Sequence, residues 1–80
     1  MKAYVTVGLK AGVLDVQGKA VANALHDLGF GGVHDARVGK VIELEIANID
    51  RATAEIQVKE MCEKLLANTV IESYRIEFAS

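Results

Sequence analysis

The fold is decided by residues 3–28, AYVTVGLKAGVLDVQGKAVANALHDL, where an alternating apolar pattern gives way to a helical one. From its start to Leu9, apolar and polar side chains alternate and β-branched residues predominate, which predicts a strand. Asp15 stands where a helix N-cap belongs, because its carboxylate can accept hydrogen bonds from the free amides of a first turn. Apolar side chains then recur at helical spacing until Gly29, a residue able to take the left-handed conformation that ends a helix. We therefore predict a strand, a short loop and a helix over residues 16–28.

The same two patterns recur along the rest of the chain. Residues 33–38 and 41–47 are predicted strands, joined by a tight hairpin at Gly39-Lys40. Asp50 is a second N-cap, and residues 73–78 alternate as a final strand. The helix between them has a predicted buried stripe made of Ala54, Val58, Met61, Cys62 and Leu65.

The order of these elements, β-α-β-β-α-β, indicates an α+β fold of the ferredoxin-like type. We expect one domain over residues 1–80, with a four-stranded antiparallel sheet and both helices on one face. The other face of that sheet should then be open. The side chains expected there are mixed rather than apolar, namely Tyr4, Thr6, Arg37, Glu43, Glu45, Arg75 and Glu77.

Size and composition indicate that this domain associates with other chains. A chain of 80 residues and 8.6 kDa predicts a folded surface of roughly 4,700 Å². A single core of that size gives only marginal stability. Apolar residues make up 51% of the chain, slightly more than a small soluble domain needs. Because Cys62 is the single cysteine, no internal disulfide is available, and we expect a homo-oligomer, a dimer or tetramer.

Charge and hydropathy exclude two classes of partner. The formal net charge of −2 argues against nucleic acid, which calls for a basic stripe. No stretch without a charged residue exceeds seven residues, so neither a membrane span nor the apolar region of a signal peptide is expected. The default is a reducing compartment, and we expect a cytoplasmic protein.

The residues form no recognisable catalytic constellation. His26 and His34 have no third ligand at a metal-binding spacing, so no metal site is expected. Cys62 falls on a predicted buried stripe, which favours an inert thiol over a nucleophile. Val16-Gln17-Gly18 is similar to the phosphate-binding turn of acylphosphatases, but the arginine that those enzymes need is Ala22 here. No catalytic residue is therefore predicted.

One binding function stays open at this point. Gly12-Val13-Leu14-Asp15, between the first strand and the first helix, is loosely similar to the amino-acid-binding ACT domains. Those domains use a glycine here for close approach of the ligand. A glycine needed only for the turn explains the residue equally well. An ACT-like small-molecule-binding regulatory module is the alternative.

A longer motif carries a more specific resemblance. Residues 9–21, LKAGVLDVQGKAV, resemble the opening signature of the PurS family, the small subunit of phosphoribosylformylglycinamidine synthase. Three later segments agree with that family in the same order, namely 24–30, 37–44 and 61–72. The family usually has proline where this chain has Val16 and Thr69. Proline at a first helical position only pre-organises the helix, so neither difference removes a reactive group.

The resemblance implies a non-catalytic assembly subunit of an ATP-dependent, glutamine-using ligase complex in de novo purine biosynthesis. Such subunits are homo-oligomers that join the glutaminase subunit to the large synthetase subunit, support ammonia transfer and hold no cofactor. On the matching motif, structural roles are predicted for Gly12, Asp15, Gly18 and Gly39. The partner-contact candidates are Lys10, Lys19, Arg37 and Lys40. Of these, Lys10, Arg37 and Lys40 have no evident local structural role in the sequence.

Overall fold

The computed structural model describes residues 1–79 and gives them three strands, two α-helices and one π-helical turn. The elements are β1 (Lys2–Leu9), α1 (Val16–Asp27), β2 (Lys40–Glu45), α2 (Arg51–Met61), the π-helical turn (Cys62–Leu66) and β3 (Glu72–Ala79). The strands form an antiparallel sheet in the order β2-β1-β3. Over these residues, no helix is long and apolar enough to cross a membrane.

The core lies between one face of the sheet and α2. Ala3, Val5 and Val7 on the central strand are almost completely buried, as are Ala54 and Val58 on α2. Side chains from the two outer strands pack around them and are half-buried, namely Ile42, Leu44, Tyr74, Ile76 and Phe78. No described residue of α1 belongs to this cluster. A single helix therefore covers a face three strands wide.

The opposite face of the sheet is exposed and mixed in character, as predicted. Lys2 Nζ lies 2.7 Å from a carboxylate oxygen of Glu43, and Arg75 Nε lies 3.0 Å from one of Glu77. Arg37 was expected on this face and lies elsewhere, because its segment is not a strand. The open face therefore carries ion pairs between neighbouring side chains.

The helix termini follow the predicted signals. Asp15 is the N-cap of α1 and accepts a hydrogen bond from the amide of Gly18, and Asp50 caps α2 through the amide of Thr53. Gly29 follows α1 with a φ of +100°, a left-handed conformation that costs glycine little. Both N-caps and the helix stop are therefore confirmed.

The predicted strand over residues 33–38 and the hairpin at Gly39 are wrong, so the sheet has three strands and not four. Between α1 and β2 the backbone is irregular. Its amides find side-chain acceptors instead of a neighbouring strand, since Val38 donates to Asp15 and Ala36 donates to the side chain of Asp35. The α+β class, with two helices and an antiparallel sheet, is correct at this coarser level. The expected packing of both helices on one face is not seen, because no described residue of α1 joins the core cluster.

The predicted buried stripe of α2 is correct over its first turns and wrong at its end. Met61 is 37% exposed and Leu65 is 83% exposed. Met61 lies before the π-helical turn, so the turn does not explain its exposure. For Leu65 the cause is that turn, in which the amide of Ala67 donates to the carbonyl of Cys62 at 3.0 Å. Because this turn holds one residue more than an α-helical turn, the side chains after it rotate. Leu66 packs against the core in place of Leu65.

The molecule is extended rather than spherical. Its principal extents are 49 × 27 × 14 Å and its radius of gyration is 16.0 Å, where a compact chain of this length has roughly 11.6 Å. Its accessible surface is 5693 Å², roughly 1,000 Å² more than a compact monomer of this mass exposes. Part of that excess lies on α1 and the residue after it, where Val21 is 43% exposed and Leu28 is 73% exposed.

Candidate functional site

The motif residues meet where the β1–α1 loop contacts the irregular segment before β2. We call this contact, between residues 9–18 and residues 33–39, the α1 clasp. Its centre is the carboxylate of Asp15, a residue only 7% exposed. Oδ1 accepts from the amide of Gly18 and Oδ2 from the amide of Val38, both at 2.8 Å. These two hydrogen bonds lower the pKa of Asp15 and hold the carboxylate in its ionised form.

Local structure explains why three motif positions are glycine: two lack space for a Cβ, and one has a positive φ. A Cβ on Gly18 would overlap the carbonyl oxygen of Ala36, and one on Gly39 would lie 2.6 Å from the carbonyl oxygen of Val7. Gly12 is in open surroundings but has a φ of +87°, which other residues adopt only with strain. The turn alone therefore accounts for Gly12, and the ACT-like alternative gains no further support from the described residues.

Arg37 and Lys10 have the local structural roles that sequence reasoning did not find. The Arg37 guanidinium donates to the carbonyl oxygens of Val13 and Lys10, both at 3.2 Å, and to that of Leu9 at 3.4 Å. The Lys10 ammonium donates to the carbonyl oxygen of Thr69 at 2.7 Å. Both side chains thus hold loop backbone. Whether they also contact a partner stays a prediction.

Lys19 and Lys40 are in a different situation. Both residues are exposed, and neither forms a side-chain hydrogen bond or ion pair with another residue in the described part of the chain. Their ammonium groups therefore keep their hydrogen-bonding capacity for another molecule. A partner-contact role for these two lysines stays a prediction.

The predicted residues are divided between two shallow grooves, and Lys10 and Gly18 line neither of them. The larger, of about 520 Å³, follows the α1 clasp, and the smaller, of about 180 Å³, lies where β2 begins. The larger is lined in part by Gly12, Asp15, Lys19 and Arg37, and the smaller by Gly39 and Lys40. The charged groups of Asp15 and Arg37 already bond to backbone atoms. The arrangement is thus suited to fixing the shape of a surface rather than to moving a proton.

One contact near the α1 clasp was missed by sequence reasoning. His26 is exposed, as predicted, and its Nε2 lies 2.5 Å from the carbonyl oxygen of Val33. This contact closes the glycine-rich turn after α1. A separation of seven residues across a turn has no characteristic pattern, so the sequence held no signal for it.

Two reactive groups near the core are held in their protonated forms. Burial raises the pKa of the Cys62 thiol, which favours the unreactive form. The Tyr74 hydroxyl donates to Glu63 Oε2 at 2.6 Å, and this hydrogen bond raises the pKa of Tyr74 to about 12. Both groups therefore stay neutral at physiological pH.

Comparison with known proteins assigns the family. The PurS family model, described as phosphoribosylformylglycinamidine (FGAM) synthase, matches residues 2–80. The phosphoribosylformylglycinamidine synthase subunit PurS of Bacillus subtilis is 57% identical over 76 residues, which cover 95% of this chain and 89% of that protein. The PurS subunit of Synechocystis is 48% identical over 79 residues, covering 99% of this chain and 77% of that one.

Solved structures agree with the sequence comparison. Bacillus subtilis PurS in a C2 crystal form matches with a TM-score of 0.89 at 54% identity, covering 99% of this chain and 98% of that chain. A chain in the structure of PurLQS from Thermotoga maritima matches with a TM-score of 0.87 at 32% identity, covering 95% and 93%. The protein therefore belongs to the PurS family of phosphoribosylformylglycinamidine synthase subunits, which act in purine biosynthesis.

Proposed function

We propose that this chain is a non-catalytic assembly subunit, which joins the glutaminase subunit of FGAM synthase to its ATP-dependent synthetase subunit. The observation that carries the proposal is the extended shape, with roughly 1,000 Å² of surface beyond that of a compact monomer. An assembly subunit needs surfaces, and this molecule offers them. The similar chain in the Thermotoga maritima PurLQS structure supports a place in such a complex.

Self-association is part of this proposal. One helix covers a sheet face three strands wide, and the apolar stripe of α1 is exposed. A standard interface buries about 800 Å² on each partner, which is close to the surplus surface of this chain. We therefore infer a dimer or tetramer in which the exposed stripe of α1 packs against another copy.

The proposed bridge has a chemical reason. Ammonia released by a glutaminase must reach the synthetase site without escaping to solvent, so the two catalytic subunits must be held in register. A rigid oligomer can supply that register without any reactive group or cofactor of its own. On this proposal the subunit supports ammonia transfer in the cytoplasm while its partners carry out the chemistry.

Reconstitution tests the proposal. The purified protein alone should lack glutaminase and ATPase activity, and adding it to the other two subunits should restore glutamine-dependent FGAM formation. Ammonium salt supplied to the synthetase subunit provides the control, because that reaction needs no transfer between subunits. A folded protein that leaves the glutamine-dependent rate unchanged would contradict the proposed function.

A further inference from the structure

The π-helical turn after α2 leaves Leu65 in solvent and brings Leu66 to the core, where an α-helix would do the reverse. At about 100° per residue, an uninterrupted α-helix would place Leu65 within about 20° of Val58 around the helix axis, and Leu66 about 80° from it. In this structure Val58 is completely buried, Leu65 is 83% exposed and Leu66 packs against the core cluster. One place in the core is therefore available to either leucine, and the register of a single helical turn decides which one fills it.

The two registers differ in the donor that bonds to the carbonyl of Cys62. In this structure the donor is the amide of Ala67, at 3.0 Å, and in an α-helix it would be the amide of Leu66. Single π-helical turns within α-helices are rare and frequently lie at functional sites. Since an α-helical turn holds one residue fewer, rewinding this turn would pass one residue into the segment that follows. We call that segment, residues 67–71, the β3 connection.

Lys10 holds the β3 connection in its present course. Its backbone amide donates to the carbonyl oxygen of Ile71 at 2.9 Å, and its ammonium donates to that of Thr69 at 2.7 Å. The amide bond continues the pairing of Leu9 with Glu72, so it lasts as long as the sheet does. The ammonium belongs to an exposed residue, and its bond is the contact that another molecule is able to withdraw.

We propose that residues 62–66 are a switch between two helical registers, and that the Lys10 ammonium holds the π register. A carboxylate of another molecule that pairs with this ammonium leaves the Thr69 carbonyl without its donor. The β3 connection is then free to accept one more residue, and the turn rewinds as an α-helix. Leu65 enters the core and Leu66 moves to its edge. A contact at the β1–α1 loop thus changes the surface at the end of α2, and the coupling is reciprocal.

Deleting one residue tests whether the turn contains an inserted position. Without Leu65, the amide of Ala67 is four residues from Cys62 and forms an ordinary α-helical bond, while the β3 connection keeps its length. We expect this deletion to leave the thermal midpoint, measured by circular dichroism, unchanged or higher. Deletion of Lys59 is the matched control, because it rotates every later side chain of the helix by about 100°. Equal losses of stability in the two deletions would overturn the proposal.

Thiol labelling reports the register directly. With Lys10 in place, Leu65→Cys should react rapidly and Leu66→Cys slowly, and peptide mass distinguishes either label from one on the buried Cys62. Adding Lys10→Met removes the ammonium and, with it, a hydrogen bond from a charged group. The reaction at position 65 should then slow about tenfold, and the reaction at position 66 should become faster.

Two further variants control the labelling experiment. Lys19→Met removes an exposed ammonium that, in the described chain, forms no hydrogen bond to the β3 connection, so both rates should stay as they are with Lys10 in place. Lys10→Arg keeps a cationic donor and should keep the π register. Loosening of the whole fold by Lys10→Met would speed labelling at both positions. That result, or unchanged rates, would overturn the proposal.

Labelling in the complex tests the capture of Lys10. This step rests on the proposed function, because it takes the carboxylate from an acidic side chain of another synthase subunit. An excess of the other subunits should slow labelling of Leu65→Cys and speed that of Leu66→Cys, whereas a partner that merely covers Leu65 would not speed the second.

The outcomes separate this proposal from the assembly function. If the subunits restore glutamine-dependent activity while labelling of Leu66→Cys stays slow, the capture of Lys10 is wrong and the proposed function stands. If the wild-type chain does not join the other subunits, the proposed function fails, and the Lys10→Met labelling still decides whether the register switch exists.

Discussion

Asp15 Oδ2 accepts a 2.8 Å hydrogen bond from the amide of Val38, which lies 23 residues further along the chain. The other carboxylate oxygen caps α1 through Gly18. One side chain thus begins a helix and also anchors the segment that precedes β2. The anchoring bond helps to explain why this segment is irregular, since the amide of Val38 is not free to join a sheet.

Because Asp15 has two roles and Asp50 only one, replacing Asp15 by asparagine should destabilise the protein more than replacing Asp50 by asparagine. In Asp15→Asn only one side-chain acceptor oxygen remains, and the new NH₂ group faces a backbone donor. In Asp50→Asn the lost contacts are all to Thr53, at an exposed site. We expect a clearly lower thermal midpoint for Asp15→Asn than for Asp50→Asn at neutral pH, measured by circular dichroism. Equal midpoints would mean that the Val38 bond contributes nothing.

The same carboxylate predicts an acid-side loss of stability. Hydrogen bonds from Gly18 and Val38 place the folded-state pKa of Asp15 below its ordinary value of 3.8. A lowered folded-state pKa stabilises the fold above pH 3.8, and this stability is lost as the pH falls through the folded-state pKa. Asp15→Asn should therefore have a flatter free energy of unfolding over this acid range in urea titrations. An acid slope identical to that of the wild type would contradict this.

Replacing Gly18 by alanine should destabilise the fold, although the same replacement within a helix usually stabilises it. Alanine normally stabilises a helix interior by about 1 kcal/mol relative to glycine. Here the added Cβ would overlap the carbonyl oxygen of Ala36, and overpacking costs about 1–3 kcal/mol. We expect Gly18→Ala to lower the free energy of unfolding, with Gly32→Ala as the control because a Cβ there meets nothing within 4 Å. A higher free energy of unfolding for Gly18→Ala than for the wild type would show that the α1 clasp has room for the added Cβ.

Local signals in this sequence predicted local structure well. Asp15, Asp50 and Gly29 act within a few residues of their own positions, and the helix ends they predict are correct. The alternation of β1 also placed Val5 and Val7 in the core. Each of these outcomes depends on backbone hydrogen bonds or side-chain alternation that a short window contains.

Contacts between distant segments could not be predicted in this way. Residues 33–38 were predicted to form a strand, but the amide of Val38 donates to Asp15 and not to a neighbouring strand. Arg37 appeared to have no structural role because its three carbonyl acceptors lie 24 to 28 residues earlier. Leu65 has the spacing of a core residue, and only the π-helical turn makes it exposed. Spacing alone cannot reveal an extra residue in a helical turn.

Cys62 is predicted to be protected from thiol reagents in the folded protein. Its side chain is completely buried, and burial raises the pKa of its thiol, so both access and the thiolate fraction are low. Reaction with an aromatic disulfide should be slow in buffer and immediate in urea. Val70→Cys, which replaces a side chain that is 81% exposed, supplies an exposed thiol as the control. Rapid labelling of the wild type without denaturant would contradict the packed core.

Lys19 and Lys40 are predicted to contribute to complex formation without affecting the fold. Because their ammonium groups bond to no other described residue, Lys19→Ala and Lys40→Ala should leave the thermal midpoint unchanged. Exposed ion pairs are worth about 0.2–1 kcal/mol, so each variant should bind the other synthase subunits up to about fivefold more weakly. Lys59→Ala, on the exposed side of α2, is the control in the same binding titration. If both variants bind the other synthase subunits with unchanged affinity, Lys19 and Lys40 lie outside the interface.

The exposed stripe of α1 predicts that stability depends on protein concentration. If Val21 and Leu28 are covered in the oligomer, unfolding releases separate chains, and a tenfold rise in concentration stabilises the assembly by about 1.4 kcal/mol. The urea midpoint of the wild type should therefore rise with concentration. Leu28→Ser should weaken association and lower that midpoint at a given concentration. Val70→Ser alters a side chain away from α1 that is at least as exposed, and it should leave the midpoint unchanged. Two results together would contradict this: a wild-type urea midpoint that does not depend on concentration, and a Leu28→Ser variant as stable as Val70→Ser. They would mean that the apolar stripe of α1 stays in solvent and that the extended monomer is stable alone.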